Sequence, residues 1–137
     1  MSRPLLLDTC VLLWMGAGAP LGEAAEHELS DMESIAGGIV VSPISAWEVG
    51  QLARRGRLRL PMSPGPWFQR FLDRGMVLAP MPPEVLVASS FLPDAKLRDP
   101  ADKILAATAR AYRYRLMTRD RPLLDYAGQG HLHAIAC

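Results

Sequence analysis

A chain of 137 residues, half of them hydrophobic and 21% charged, can bury a core without disulfide or metal staples. It holds no stretch near the roughly 20 uninterrupted apolar residues that a membrane span needs, and its two cysteines, Cys10 and Cys137, have no metal-ligand spacing, which points to a reduced, cytoplasmic protein. The formal net charge of +1 excludes neither a nucleic-acid nor a small-molecule partner.

In chain order, Pro4 to Leu7 reads as a buried strand ending at Asp8. The apolar run continues to Ala19, but Asp8 interrupts it too early for a secretory leader, and only Arg3 precedes it. Glu23 to Ser34 is polar and helix-favouring, stopped by Gly37-Gly38. Ile39-Val40-Val41 is a β-branched strand closed by Ser42-Pro43. Ser45 to Arg55 reads as a helix ended by Gly56. Leu58 to Pro66 is a loop, and Trp67 to Arg74 a helix ended by Gly75. Met76 to Ala79 is a short strand. Pro83 to Ser90 is a helix with proline early, where its missing N–H does no harm. Ala101 to Arg113 carries the clearest helical pattern. Leu116-Met117-Thr118 is a strand, Pro122 to Tyr126 a helical turn, and Leu132 to Ala136 a last strand. This alternation implies an α/β fold, with a mostly parallel central sheet and helices on both faces, in one domain over 1–137. No internal repeat or linker interrupts it.

The charges are unevenly spread. Thirteen of the 15 basic residues are arginine. Arg54, Arg55, Arg57 and Arg59 group together, as do Arg110, Arg113, Arg115, Arg119 and Arg121, while Glu23, Glu26, Glu28, Asp31 and Glu33 sit apart. A near-neutral total can therefore hide a basic face suited to phosphate backbones, or simply a solvated surface.

Ligands of open α/β sheets bind beyond the carboxyl ends of the strands. Asp8 follows the first strand and Asp120 follows Leu116 to Thr118. Glu48 falls in the first turn of the helix after the second strand, and Asp102 in the first turn of the helix from Ala101. Four carboxylates are thus expected at one edge. Packed carboxylates resist ionisation unless a cation neutralises them. Oxygen donors without His or Cys favour hard cations, Mg²⁺ or Mn²⁺, which can polarise a phosphodiester and activate water. Each acid also has a plainer role open to it. Asp99 before Pro100 reads as a helix N-cap. Asp102 could complement the helix dipole, although Leu105, Ala106 and Ala109 share its stripe. Asp120 could be a turn residue. Asp8, between two leucine-rich runs, needs a partner if buried.

The motifs Leu7-Asp8-Thr9-Cys10, Ser45-Ala46-Trp47-Glu48, Arg98-Asp99-Pro100-Ala101-Asp102-Lys103 and Met117-Thr118-Arg119-Asp120, in this order and spacing, resemble those of PIN-domain nucleases, and more narrowly the VapC-type toxins of toxin–antitoxin pairs. The resemblance covers essentially the whole chain. It implies a three-layer PIN sandwich and a metal-dependent endoribonuclease acting on structured RNA. It also implies a cognate antitoxin that blocks the site, and a homodimer. Residue by residue, the metal-site acids carry over to Asp8, Glu48, Asp102 and Asp120, with Thr9 and Thr118 as supporting hydroxyls and Asp99 beside them. Arg54, Arg55, Arg113 and Arg119 are then expected to hold RNA phosphates through their forked donors.

Rival readings fit less well. A phosphoaspartyl phosphatase wants a second aspartate where Cys10 stands, and a receiver-type signalling module wants a late lysine, whereas Lys103 is the last. A PIN-type DNA nuclease needs insertions that this length barely holds. The alternation His131-Leu132-His133 suits the polar face of an edge strand better than a zinc site. Trp47 is expected in the core. Trp67, Phe68, Phe71 and Leu72 crowd one short helix, so part of that apolar surface is expected to remain exposed for a partner.

Overall fold

The computed structural model describes residues 3–137. Its sheet has five short strands: β1 (Leu5–Leu7), β2 (Ile39–Val41), β3 (Val77–Leu78), β4 (Arg115–Thr118) and β5 (His133–Ala136). Every pairing is parallel, in the order β3-β2-β1-β4-β5. Around the sheet lie α1 (Thr9–Gly16), α2 (Glu23–Glu33), α3 (Pro43–Arg54), α4 (Pro64–Asp73), α5 (Pro83–Ser89), α6 (Pro100–Tyr112) and α7 (Arg121–Gly128).

The central strand explains itself. Leu5, Leu6 and Leu7 are all completely buried, as a parallel strand covered on both faces requires. Side chains alternate across the sheet. Leu5 and Leu7 join Val41 and Met117 in a core with α1, α2 and α4, where Val11, Leu29, Met32, Trp67 and Phe71 pack. Leu6 joins Val40 and Leu116 in a second core on the opposite face, with Leu105 and Ala106 of α6 and Leu123 of α7. The result is a three-layer α/β sandwich.

Chain direction places the site. From β1 the chain moves outward to β2 and β3, then crosses back to β4 and outward to β5. The order therefore reverses between β1 and β4, and a crevice opens at their carboxyl ends. Register pairs Leu7 with both Val41 and Met117, so Asp8 emerges beside Thr118.

Several boundaries differ from the sequence reading. The helix α1 carries no periodic signal, because Val11 and Leu12 are buried and the remaining faces are apolar too, so no polar stripe marks it. α3 and α4 start earlier than expected, at Pro43 and Pro64, since proline at the first helical position extends a helix rather than stopping it. α7 is a full helix rather than a turn, capped by Asp120, which accepts from the Leu123 N–H at 3.2 Å.

The aromatic expectations are reversed. Trp67, Phe68 and Phe71 are buried, and Trp67 meets Phe71 edge-to-face at 4.9 Å, so α4 completes the core instead of offering an aromatic surface. Trp47 is 57% exposed rather than core. It stands two residues from both Ser45 and Val49, the buried side of α3, and two residues carry a side chain to the far side of a helix.

Two glycines test this packing. A Cβ on Gly38 would press into the backbone carbonyls of Met32 and Ile35, whereas one on Gly50, inside α3, would meet nothing within 4 Å. Gly38→Ala is expected to cost about 1–3 kcal/mol by overpacking, and Gly50→Ala to gain up to about 1 kcal/mol by removing a helix-interior glycine. Denaturant unfolding of the two variants checks both signs.

Candidate active site

Asp8 is the buried centre of the crevice, only 6% exposed. It caps α1 through the Thr9 N–H at 2.7 Å, and its other oxygen accepts from the Thr118 hydroxyl at 2.6 Å. The same Thr118 oxygen accepts from the Asp120 N–H at 2.9 Å, so one hydroxyl links the two acids. Burial pushes the Asp8 carboxyl up, these hydrogen bonds pull it down, and the Asp120 charge pushes it up again.

Glu48 reaches the crevice from the second turn of α3, not the first, because the helix begins at Pro43. The Thr9 hydroxyl donates to it and stands 2.8 Å from the Ser45 hydroxyl, which can return a proton to Thr9. Burial and the charges of Asp8, Asp99 and Asp120 raise the Glu48 carboxyl against this bond.

Asp99 caps α6, accepting from the N–H groups of Ala101 at 2.8 Å and Asp102 at 3.4 Å. Asp102, at the third position of the same helix, faces the crevice. Burial pushes its carboxyl to about 8, reinforced by Asp120, Asp99 and Asp8 in turn. Asp8, Glu48, Asp99, Asp102 and Asp120 all line one cleft of about 360 Å³.

Among the described residues, no three Asp, Glu, His or Cys side chains stand in a ready ion-binding arrangement. Asp8, Glu48 and Asp120 are each tied to a hydroxyl or an N–H, and the Asp102 and Asp120 carboxyls stand within hydrogen-bond reach of each other. The donors themselves fit a hard divalent cation, being oxygen only, with the Asp8, Glu48 and Asp102 carboxyls pushed up by burial and by neighbouring acids. Cys10 lies 3.6 Å from Asp8, and burial together with that charge pushes its thiol up to about 12, so it is a poor nucleophile.

The arginines divide. Arg119 lines the cleft with its guanidinium 3.5 Å from the Trp14 ring centroid, its Nε donating to the Cys137 carbonyl at 2.6 Å. Arg54 and Arg55 are exposed at the end of α3, with Arg55 two turns from Glu48 on the same side of the helix. Arg113 does not join them. It ends α6 in the left-handed region at φ 57°, eleven residues beyond Asp102 and so about 17 Å along the helix, at the other end of the sheet. The sequence reading missed the roles of Ser45 and Trp14. Ser45 was legible as the residue three before Glu48 on one helix face. Trp14 was not, since α1 has no pattern.

A parallel sheet with carboxylates at its switch point is shared with a known group of proteins. The chain belongs to the PIN domain family, whose sequence profile matches residues 5–129. Within that family it is similar to Ribonuclease VapC22 of Mycobacterium tuberculosis, at 31% identity over 123 residues, covering 89% of this chain and 91% of that one. Its fold is similar to that in the structure of VapBC2 from Rickettsia felis bound to a promoter DNA fragment, with TM-score 0.71, 14% identity and coverage of 96% and 97% of the two chains. It is also similar to that in a toxin–antitoxin complex from Klebsiella pneumoniae, with TM-score 0.59, 20% identity and coverage of 96% and 95%.

The acids make stability depend on pH. A carboxyl raised from its ordinary 3.8 to about 8 keeps its proton longer in the folded chain than in the unfolded one. Between those values the native state binds more protons, so stability falls as pH rises. Without divalent ions, the melting temperature is expected to drop from pH 4 to pH 8, and Asp102→Asn to flatten that drop. Equal slopes for the two proteins would contradict the electrostatic account.

Proposed function

We propose that the protein is a Mg²⁺- or Mn²⁺-dependent endoribonuclease and the toxin of a type II toxin–antitoxin pair. The observation that carries the reading is the convergence of five carboxylates on one cleft at the switch point. The similarity to a ribonuclease supports it. Asp8, Glu48, Asp102 and Asp120 would hold the cation. When bound, it would supply positive charge against the scissile phosphate and a water made acidic enough to attack.

The chain's own part is positioning. Thr118 and the N–H of Thr9 fix the Asp8 carboxylate, while the Thr9 hydroxyl fixes Glu48. Such supporting partners orient the acids and offset part of the effect of burial on their ionisation. Arg119 lines the cleft, and Arg54 and Arg55 stand exposed at the far end of α3, with donors suited to the phosphates of RNA. For the antitoxin, a groove lined by Met15, Leu29, Met32, Phe71 and Met76, with Glu33 and Arg74 also in its lining, suits an apolar anchor. An arginine from the same partner would complement the acids. Leu86, Val87 and Phe91, exposed on and just after α5, offer a face to a second copy in a homodimer.

Incubation with RNA and with single-stranded DNA, each with Mg²⁺ or with EDTA, tests the reading. RNA is expected to be cut only with the metal, and DNA to remain intact. Asp8→Asn and Asp102→Ala are expected to lower the rate more than about 100-fold, beyond what loss of a supporting partner costs. Asp99→Ala should instead cost about 1 kcal/mol of stability as a lost cap and keep much of the activity. Cutting in EDTA, or near-wild-type activity of Asp8→Asn, would refute the assignment. Cutting of DNA in place of RNA would make the protein a DNA nuclease.

A further inference from the structure

The opposite end of the sheet carries a second cleft, of about 250 Å³, lined by Arg3, Arg110, Arg113, Tyr114, His131 and His133 among others. Its charge is the reverse of the first, since no acidic side chain lines it among the described residues. Two acids are engaged nearby: Asp94, 84% exposed, whose carboxylate stands 3.5 Å from His131, and Glu28, which pairs at 2.8 Å with Arg115, itself donating to the Arg3 carbonyl. Arg110 donates to the His131 carbonyl, which fixes its guanidinium at the rim. The run Arg110-Ala111-Tyr112-Arg113-Tyr114-Arg115 alternates guanidinium with aromatic, and the rings of Tyr112 and Tyr114 lie 5.7 Å apart. Helix α6 joins the two clefts, with Asp102 at one end and Arg113 at the other.

We propose that this basal cleft is a second RNA-binding site, which grips backbone phosphates of a structured RNA while its scissile bond lies at the acidic cleft. The inference rests on the ribonuclease reading for the second half of that statement, but phosphate binding at the basal cleft stands without it. Arg3, Arg110 and Arg113, none of them ion-paired among the described residues, suit phosphates. Tyrosine between arginines favours nucleic acid over an acidic peptide, because every unpaired base has a flat face that can stack on the ring. The clefts lie about 17 Å apart along α6, so at 3.4 Å per stacked nucleotide a substrate needs more than about five nucleotides to touch both. Shorter RNAs can occupy only one cleft at a time.

The test uses fluorescence anisotropy in EDTA, where nothing is cut, with a hairpin RNA of about 40 nucleotides and a strand of about four, at the lower limit of single-strand sites. The variant is Arg110→Gln with Arg113→Asn, since Gln keeps a donor for the His131 carbonyl and Asn tolerates the left-handed backbone. Hairpin affinity is expected to fall about tenfold, and its salt slope by about two units, one for each arginine taken from a phosphate. The short strand, which without metal has only the basal arginines to hold its phosphates, should weaken as well, and an unchanged melting temperature shows the fold intact. If hairpin binding is unaffected, or polyglutamate of equal charge competes as well as RNA, the inference is overturned. If the variant's fold fails, Arg113→Asn alone is used, with an expected slope decrease of about one unit. A wild-type protein that binds the hairpin through this cleft yet cuts no RNA would refute the ribonuclease reading and leave the basal site standing.

Discussion

The structure turns on one buried carboxylate. Asp8 ends the central strand, and three leucines sealed on both faces leave its position no freedom. An isolated charge there would be costly. It is tolerable because α1 begins at the next residue, presenting its N-terminal N–H, and because Thr118 comes level on the neighbouring strand. Those two partners exist only because β1 and β4 are adjacent and parallel in the register that pairs Leu7 with Met117. A one-residue slip would turn Thr118 to the other face of the sheet. Sheet order, helix start and site chemistry are thus one constraint seen three ways.

That constraint also explains what a sequence can disclose. The strands were legible because a parallel sheet buried on both faces needs continuous apolar runs, and Leu5-Leu6-Leu7 and Ile39-Val40-Val41 are such runs. The acids at the strand ends followed from the topology that those runs imply. The helix α1 was invisible for the same reason that β1 was clear. It too is apolar all round, and an apolar run without period does not declare its own secondary structure. Prolines misled in the opposite sense. Pro43 and Pro64 read as breaks but open helices, which moved Glu48 into the second turn. The aromatics of α4 were judged by their number, whereas burial is decided by how many sides of a helix have neighbours. Wedged against α1 and α3, α4 hides three of them, while Trp47 falls on the outer side of its helix.

A net charge of +1 conceals a polarised molecule. The carboxyl ends of the strands gather acids, the amino ends gather arginines and histidines, and α6 runs between them with Asp102 in its first turn and Arg110 in its last. Each end agrees with the helix dipole, which favours acids at the N-terminus and bases at the C-terminus. The sequence reading grouped Arg113 with Arg119 because they are six residues apart. The turn from α6 into β4 reverses the chain between them and sends them to opposite ends of the sheet.

The proposed activity requires the acids of the cleft to act together as one site for a hard cation. Mn²⁺ binding followed by electron paramagnetic resonance measures this without reference to any substrate. The wild-type protein is expected to bind Mn²⁺, Mg²⁺ to displace it, and Asp8→Asn and Asp120→Asn each to abolish binding. Wild-type affinity in either variant, or binding that survives only when Asp99 is kept, would contradict that requirement.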